Sequence, residues 1–143
     1  ETNAIEIISE VGLDMSKWPT VKHFTSWLNL APNNKISGGK VLSSRIPKKK
    51  NHAGQIFRMA AFAIQRSKNW LAMFYNRIKA KNGAPKAIVA TARKIAAIFY
   101  KMVKERVKFN PIPIEKYMDG FKENQIKKLK RQAKNLGLQI VEM

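Results

Sequence analysis

The sequence contains no cysteine and only two histidines, His23 and His52. The first absence excludes disulfides, thiol nucleophiles and thiolate metal ligands, and the second excludes a multi-histidine metal site. No apolar run approaches the roughly 18 residues that a membrane-spanning helix needs. The N-terminal residues have no basic region before an apolar stretch, so they are not a signal peptide. The first residue is not methionine, which is compatible with a fragment of a longer protein.

Acidic residues are also scarce: there are 9, against 28 Lys and Arg, and the formal net charge is +19. From Met15 to Lys104 the chain carries nineteen Lys or Arg and no acid. Such a stretch would repel itself unless phosphates compensate its charge. The charge therefore predicts nucleic acid as the partner. An anionic membrane surface is the weaker alternative, because the basic residues are spread over several elements and do not form one amphipathic face.

The apolar residues, 45% of the chain, recur at helical spacing and predict a mostly α, multi-helix domain. We predict helices at residues 2–11, 21–29, 52–67, 70–81, 85–106 and 114–136. The residues expected to begin or end them are Gly12, Thr20, Asn51, Asn69, Gly83 and Gly137. Residues 1–110 are expected to form one domain, and 111–143 a basic helical extension that ends in a short strand or a partner-binding tail. Among the aromatic residues, Trp18 is the one most expected at the surface, because Pro19 follows it.

A polar segment, residues 31–51, interrupts the helices and predicts a long loop or a short hairpin. It contains Ser37-Gly38-Gly39-Lys40, in which the glycines would let a phosphate approach backbone N–H groups. Lys40 and Lys35 add positive charge, and the Ser37 hydroxyl could attack phosphorus. From spacing alone we favour a glycine turn that only contacts phosphate, since this stretch is short and common and lacks the Walker A spacing.

Other residues near this loop are candidates for contact with phosphate. They are Ser43, Ser44, Arg45, Lys48, Lys49, Lys50 and Arg58, with the two serines as rival hydroxyls. His52 could also contact phosphate, and neither histidine has an acid nearby in the sequence to orient it. Asp14 is the acid nearest the loop in sequence, and one carboxylate does not make a metal site. We therefore predict no metal ligand in this chain.

Residues 11–45 combine these features in a recognisable order. The order is Gly12, Asp14-Met15-Ser16, an apolar helix from Phe24 to Leu28, Pro32, and then Ser37 to Lys40. It resembles the C-terminal transposase domain of the bridge-RNA-guided, DEDD-type insertion-sequence transposases, a group that includes the Piv-like DNA invertases. The resemblance covers about residues 4–105. It departs from the family at Lys49-Lys50-Asn51, where a glycine is usual before the asparagine.

The resemblance implies that Ser37 is the nucleophile that joins DNA through a 5′-phosphoserine, which reverses the preference drawn from spacing. It implies DNA and a guide (bridge) RNA as partners, a homo-oligomer in the full-length protein, a cytoplasmic, nucleoid-associated location and no membrane. The metal-binding acids of the family lie in an N-terminal RuvC-like domain that we do not find in this sequence. Mg²⁺ is therefore expected in that domain, with no cofactor in this chain, and the chain alone is expected to bind nucleic acid without recombining it. The alternative is a non-catalytic nucleic-acid-binding module.

Overall fold

The computed structural model describes residues 2–141, with side chains from residue 4 onward. It confirms the mostly α prediction. The helices are α1 (Thr2–Val11), α2 (Val21–Trp27), α3 (His52–Ile64), α4 (Trp70–Asn82), α5 (Ala84–Glu105) and α6 (Ile114–Asn135), with a 3-10 turn at Met15–Lys17. Two short strands, β1 (Lys35–Ser37) and β2 (Lys40–Ser43), lie between α2 and α3. The chain divides into two compact units, one ending at Phe109 and the other beginning at Asn110.

Asparagine side chains begin two of the helices, as the sequence predicts. The Asn51 Oδ1 accepts the Gly54 N–H of α3 at 2.8 Å, and the Asn69 Oδ1 accepts the Ala72 N–H of α4 at 2.9 Å. Each bond satisfies one of the N–H groups that the first turn of a helix leaves without a partner. The two caps fix where α3 and α4 begin.

The start of α2 differs from the prediction in one respect. Thr20 occupies the N-cap position, but its side chain makes no cap bond. Its Oγ1 lies 2.8 Å from Nδ1 of His23 instead. Between α4 and α5, Gly83 has a φ of 86°, and its N–H donates to Lys79 O at 2.9 Å. A positive φ of this kind is tolerated best by glycine, so Gly83 separates two helices that would otherwise run together.

The core of the first unit is aromatic and lies where α1, α2, α3 and α5 meet. Phe24 and Phe57 are fully buried, with ring centroids 6.3 Å apart in an edge-to-face arrangement. On α5, Ala92 and Ala96 are fully buried, and these small side chains let α3 approach closely. The close packing fixes the relative positions of α2 and α3, and hence both ends of the segment between them.

The expectation about the exposed tryptophan is wrong. Trp18 is buried, with 8% of its surface exposed, whereas Trp27 at the end of α2 is 43% exposed. Trp18 packs edge-on against Phe24, with centroids 5.0 Å apart, and its carbonyl accepts the Tyr100 hydroxyl at 2.7 Å. This hydrogen bond to α5 holds Trp18 inward despite the proline that follows it.

The segment at residues 31–51 is not a long loop throughout. It contains the short hairpin that the sequence analysis gave as the alternative.

At the other end of the chain, residues 138–141 form no strand, and Glu142 and Met143 lie outside the described residues. Considered by itself, α6 contains no buried residue. Its thin apolar stripe includes Leu129, which is 54% exposed.

Candidate nucleic-acid interface

The Ser-Gly-Gly-Lys stretch forms the tip of the β1–β2 hairpin. Gly38 and Gly39 are the two turn residues, with φ values of 55° and 75°. Two consecutive positive φ values define the type of two-residue turn whose twist matches that of antiparallel strands, and glycine adopts them without steric cost. Ser37 and Lys40 are therefore paired directly across the strands on either side of the turn.

The two faces of the hairpin differ in chemistry. Side chains alternate along a strand, and directly paired residues share a face. Ser37 and Lys40 are one such pair, and Lys35 lies on the same face of β1. Ile36 and Val41 are the next pair, on the opposite face, with 63% and 58% of their surfaces exposed. Next to the turn, the serine face is therefore polar and basic and the opposite face is apolar, while a register shift between Lys35 and Ile36 leaves Leu42, 70% exposed, outside the pairing.

The tip of the hairpin is open to an incoming ligand. A Cβ added at Gly38 or Gly39 would meet no atom within 4 Å. Ser37 is exposed, and within residues 2–141 its hydroxyl has no hydrogen-bond partner. The site can thus present a serine oxygen beside a lysine and an uncovered backbone, but the described chain places no general base against that oxygen.

The root of the hairpin is fixed by local hydrogen bonds. The Asn33 N–H donates to Arg45 O at 3.1 Å, which extends the pairing beyond the two strands. The Arg45 N–H lies 3.4 Å from the Oγ of Ser43, which accepts from it. This contact gives Ser43 a structural role at the root, whereas Ser44 is exposed.

The lysine run that follows is held against the end of α2. The Asn29 Nδ2 donates to Lys49 O at 2.9 Å, and the Asn51 Nδ2 donates to Trp27 O at 2.9 Å. Lys48, Lys49 and Lys50 are exposed. The backbone is thus anchored at Lys49 and directly after the run at Asn51, while the charged side chains face solvent.

Arg58 contributes to this anchor from α3. Its Nη2 donates to Asn29 O at 2.8 Å, and its side chain is half-buried. Asn29 has a positive φ of 54°, a conformation that asparagine adopts more readily than most residues. Arg58 therefore stabilises the turn after α2, and its contact with nucleic acid stays a prediction.

Two concave surfaces adjoin these elements. A groove of about 1120 Å³ runs from the hairpin root between α2, α4 and α5. Its lining carries five cations and no acid: Lys22, Arg45, Lys86, Arg93 and Lys94. Lys22 and Lys86 were missed by the sequence reasoning, although Lys86 shares a helical face with Arg93 seven residues later. A smaller cup of about 390 Å³ lies beside Trp27 and the lysine run.

Two acidic residues of this unit, Glu10 and Asp14, make structural contacts. The Glu10 Oε1 lies 3.0 Å from Nδ1 of His52, which joins α1 to α3 and supplies an acidic partner that is 42 residues away in sequence. The Asp14 Oδ1 accepts the Ser16 N–H at 2.9 Å. Hydrogen bonding from Ser16 lowers the pKa of Asp14 below its ordinary value of 3.8. Residues 2–141 contain no group of three or more His, Asp or Glu that could hold a metal ion.

The fold and the surface define a class: a basic, mostly helical domain that presents a serine on a hairpin between cationic surfaces. The chain belongs to the Transposase IS116/IS110/IS902 family, whose model matches residues 1–76, just over half of its length. The matched residues include the hairpin, the lysine run and Arg58. No curated protein and no solved structure matches the sequence. Within residues 2–141 no helix has the length and apolarity to cross a membrane.

Proposed function

We propose that this chain is the domain of a transposase that supplies Ser37 as the nucleophile for DNA strand cleavage and transfer. The observation that carries the proposal is the position of Ser37 beside a two-glycine turn, paired with Lys40 and exposed to solvent. Membership in a transposase family supports DNA as the substrate. The resemblance extends the proposal to a guide RNA as second ligand, a homo-oligomer as the working state and the cytoplasm as the location.

The geometry supports attack by a serine oxygen on a phosphodiester. The Ser37 Oγ would form a bond to phosphorus, and the bond from phosphorus to the 3′ oxygen would break. The serine proton would pass to a base, and the departing 3′ oxygen would take up a proton to become a hydroxyl. Lys40 and the N–H groups of the turn would stabilise the negative charge of the transition state.

An unactivated serine is a weak nucleophile, so Ser37 needs a base that lies outside the described residues. We expect the same of the ligands for the Mg²⁺ that the resemblance implies, since residues 2–141 contain no group of three or more acids or histidines that could hold a metal ion. We place both in the RuvC-like domain that the family carries. The isolated chain would therefore bind nucleic acid but would not recombine it, because the base and the metal ion would be missing.

The experiment is a strand-transfer reaction of this transposase with its RuvC-like domain present, run with labelled DNA. Ser37→Ala is expected to abolish both strand transfer and the covalent protein–DNA adduct, while DNA binding stays within about twofold, since no charge is removed. Gly39→Val is expected to reduce both binding and transfer, because its φ of 75° is strained for a β-branched residue.

Ser43→Ala and Ser44→Ala are the matched controls, since each removes one hydroxyl from the same hairpin. Both are expected to retain the adduct, and peptide mapping of the trapped complex should place the DNA on Ser37. If either control loses the adduct while Ser37→Ala retains it, the nucleophile is a different serine. If all three variants recombine DNA, the domain is a non-catalytic binding module.

A further inference from the structure

Trp27 presents a half-exposed aromatic surface on a rigid base. Its indole lies 4.9 Å from the buried Trp18 ring and 6.4 Å from Phe24, with which it is stacked at 21°. Despite those contacts, 43% of Trp27 is exposed. Half-exposed aromatic surfaces of this kind serve as stacking platforms for unpaired bases.

The wall of the cup beside this indole is cationic. Lys49 and Lys50 line the cup with Trp27, and their backbone is held in place by the bond from Asn29 to Lys49 O. The bond from Asn51 to Trp27 O ties the same segment to the residue that carries the platform. The backbone that carries the lysines is therefore held beside the aromatic surface before any ligand arrives, which reduces the entropy cost of binding.

The remaining lining adds polar groups at the edge of the indole. His23 and Ser26 line the cup from the preceding turns of α2. The Thr20 hydroxyl lies 2.8 Å from Nδ1 of His23, which fixes the ring and leaves Nε2 for a ligand. No acid lines the cup. Its volume of about 390 Å³ lies in the range of small-molecule sites.

From this arrangement we propose that the cup binds one unpaired nucleotide, with the base stacked on Trp27 and the phosphate held by Lys49 and Lys50. The inference rests on the proposed binding of nucleic acid and names a site for it away from Ser37. A paired base would keep its faces stacked in the duplex, so the platform selects a single strand or a flipped nucleotide. The shared ligand chemistry is an unpaired nucleobase with its phosphate, from either DNA or RNA.

The test compares oligonucleotides with the same number of phosphates. A thymidine decamer and a decamer of abasic sites are titrated against the full chain, with a uridine decamer in parallel. The chain is expected to bind the thymidine strand roughly fivefold to a hundredfold more tightly than the abasic strand. Binding should also quench tryptophan fluorescence, because Trp27 is the exposed indole whereas Trp18 and Trp70 are buried.

Variants assign these effects to the cup. Trp27→Leu should remove both the preference for bases and the quenching, and leave affinity for the abasic strand unchanged. Trp27→Phe should retain part of the preference. Leu129→Ala, which removes a different exposed apolar side chain, should behave like the parent chain. Lys49→Gln with Lys50→Gln should weaken binding of both strands and lower the salt slope by about 0.7, the value for one phosphate contact on a single strand.

The outcomes separate this inference from the proposed function. Equal binding of thymidine and abasic strands, or a base preference that survives in Trp27→Leu, overturns the nucleotide cup but not the role of Ser37. If the uridine strand binds more tightly than the thymidine strand and its binding still depends on Trp27, the result supports the cup with RNA as its ligand. Tighter binding of the thymidine strand supports the cup with DNA. Absence of binding to all three strands overturns the cup, whereas the role of Ser37 is decided separately by the covalent adduct.

Discussion

The close contact between α3 and the end of α2 can be tested by one substitution, Gly54→Ala, which replaces a hydrogen atom by a methyl group. Gly54 lies in the first turn of α3, and it is buried. A Cβ added there would collide with the carbonyl oxygen of Leu28 and lie 3.1 Å from its carbonyl carbon. Both neighbours are main-chain atoms next to a fully buried side chain, so they cannot turn aside as the end of a flexible side chain would. Gly54→Ala should therefore force α3 away from α2.

Two opposing effects set the size of the change. In an open helical position, replacing glycine by alanine stabilises a helix by about 0.5–1 kcal/mol. Overpacking in a well-packed interior costs about 1–3 kcal/mol. The collision at Gly54 makes the second effect larger, so we expect a net loss of roughly 1–2 kcal/mol in the free energy of unfolding. For a unit of this size that lowers the thermal midpoint by about 4–16 °C.

The matched control is the same substitution at Gly120 in α6. A Cβ there would meet no atom within 4 Å, so Gly120→Ala should raise helicity or leave it unchanged. Thermal and urea unfolding followed by circular dichroism would compare the two variants with the parent chain. A midpoint for Gly54→Ala that equals or exceeds the parent value would refute the close approach of the two helices.

Three further predictions concern charge and the core. If six to ten cations contact phosphates, affinity for duplex DNA should fall by about 10³–10⁵ between roughly 50 and 200 mM salt, and a flat titration would contradict this. Tyr100→Phe should cost about 1–3 kcal/mol in urea unfolding, because the Trp18 carbonyl loses a buried donor, and a loss near zero would count against that bond. The pKa of Asp14 is lowered, chiefly by hydrogen bonding from Ser16, so its contribution to stability is fully present above pH 3.8 and is lost as the pH falls through the lowered pKa of the folded chain. The difference in midpoint between the parent chain and Asp14→Ala should therefore shrink in acid, and a constant difference would contradict the assignment.

The helices were largely predictable because their signals are local. The prediction for the fifth helix was residues 85–106, and the structure places α5 at Ala84–Glu105. Apolar residues at helical spacing set its length, and Asn82-Gly83 followed by Pro85 marked its start. The same reasoning placed the caps Asn51 and Asn69. Each of these signals depends on residues within one turn of each other.

The parts that sequence did not predict depend on contacts between distant residues. Periodicity marks the apolar face of a helix but not which aromatic residue meets another helix, so the burial of Trp18 by Tyr100 was not foreseen. The pair formed by Glu10 and His52 spans 42 residues and left no local signal. The cup beside Trp27 was not predicted for the same reason, since Lys49 and Lys50 follow the hairpin in sequence and meet Trp27 only in the folded chain.

The exposure of the hairpin bears on how the serine could act. A two-stranded hairpin is at best marginally stable in water without a surface to pack against. Here the hydrogen bond from Asn33 to Arg45 holds the root, but Ile36 and Val41 leave most of their surface exposed on the face opposite Ser37. The fold therefore fixes where the hairpin begins and leaves the position of the serine to whatever covers that apolar face. If Ser37 is the nucleophile, its alignment with phosphorus is completed in the assembled complex, in which the base must also arrive, and the isolated chain should bind DNA through its cations without cleaving it.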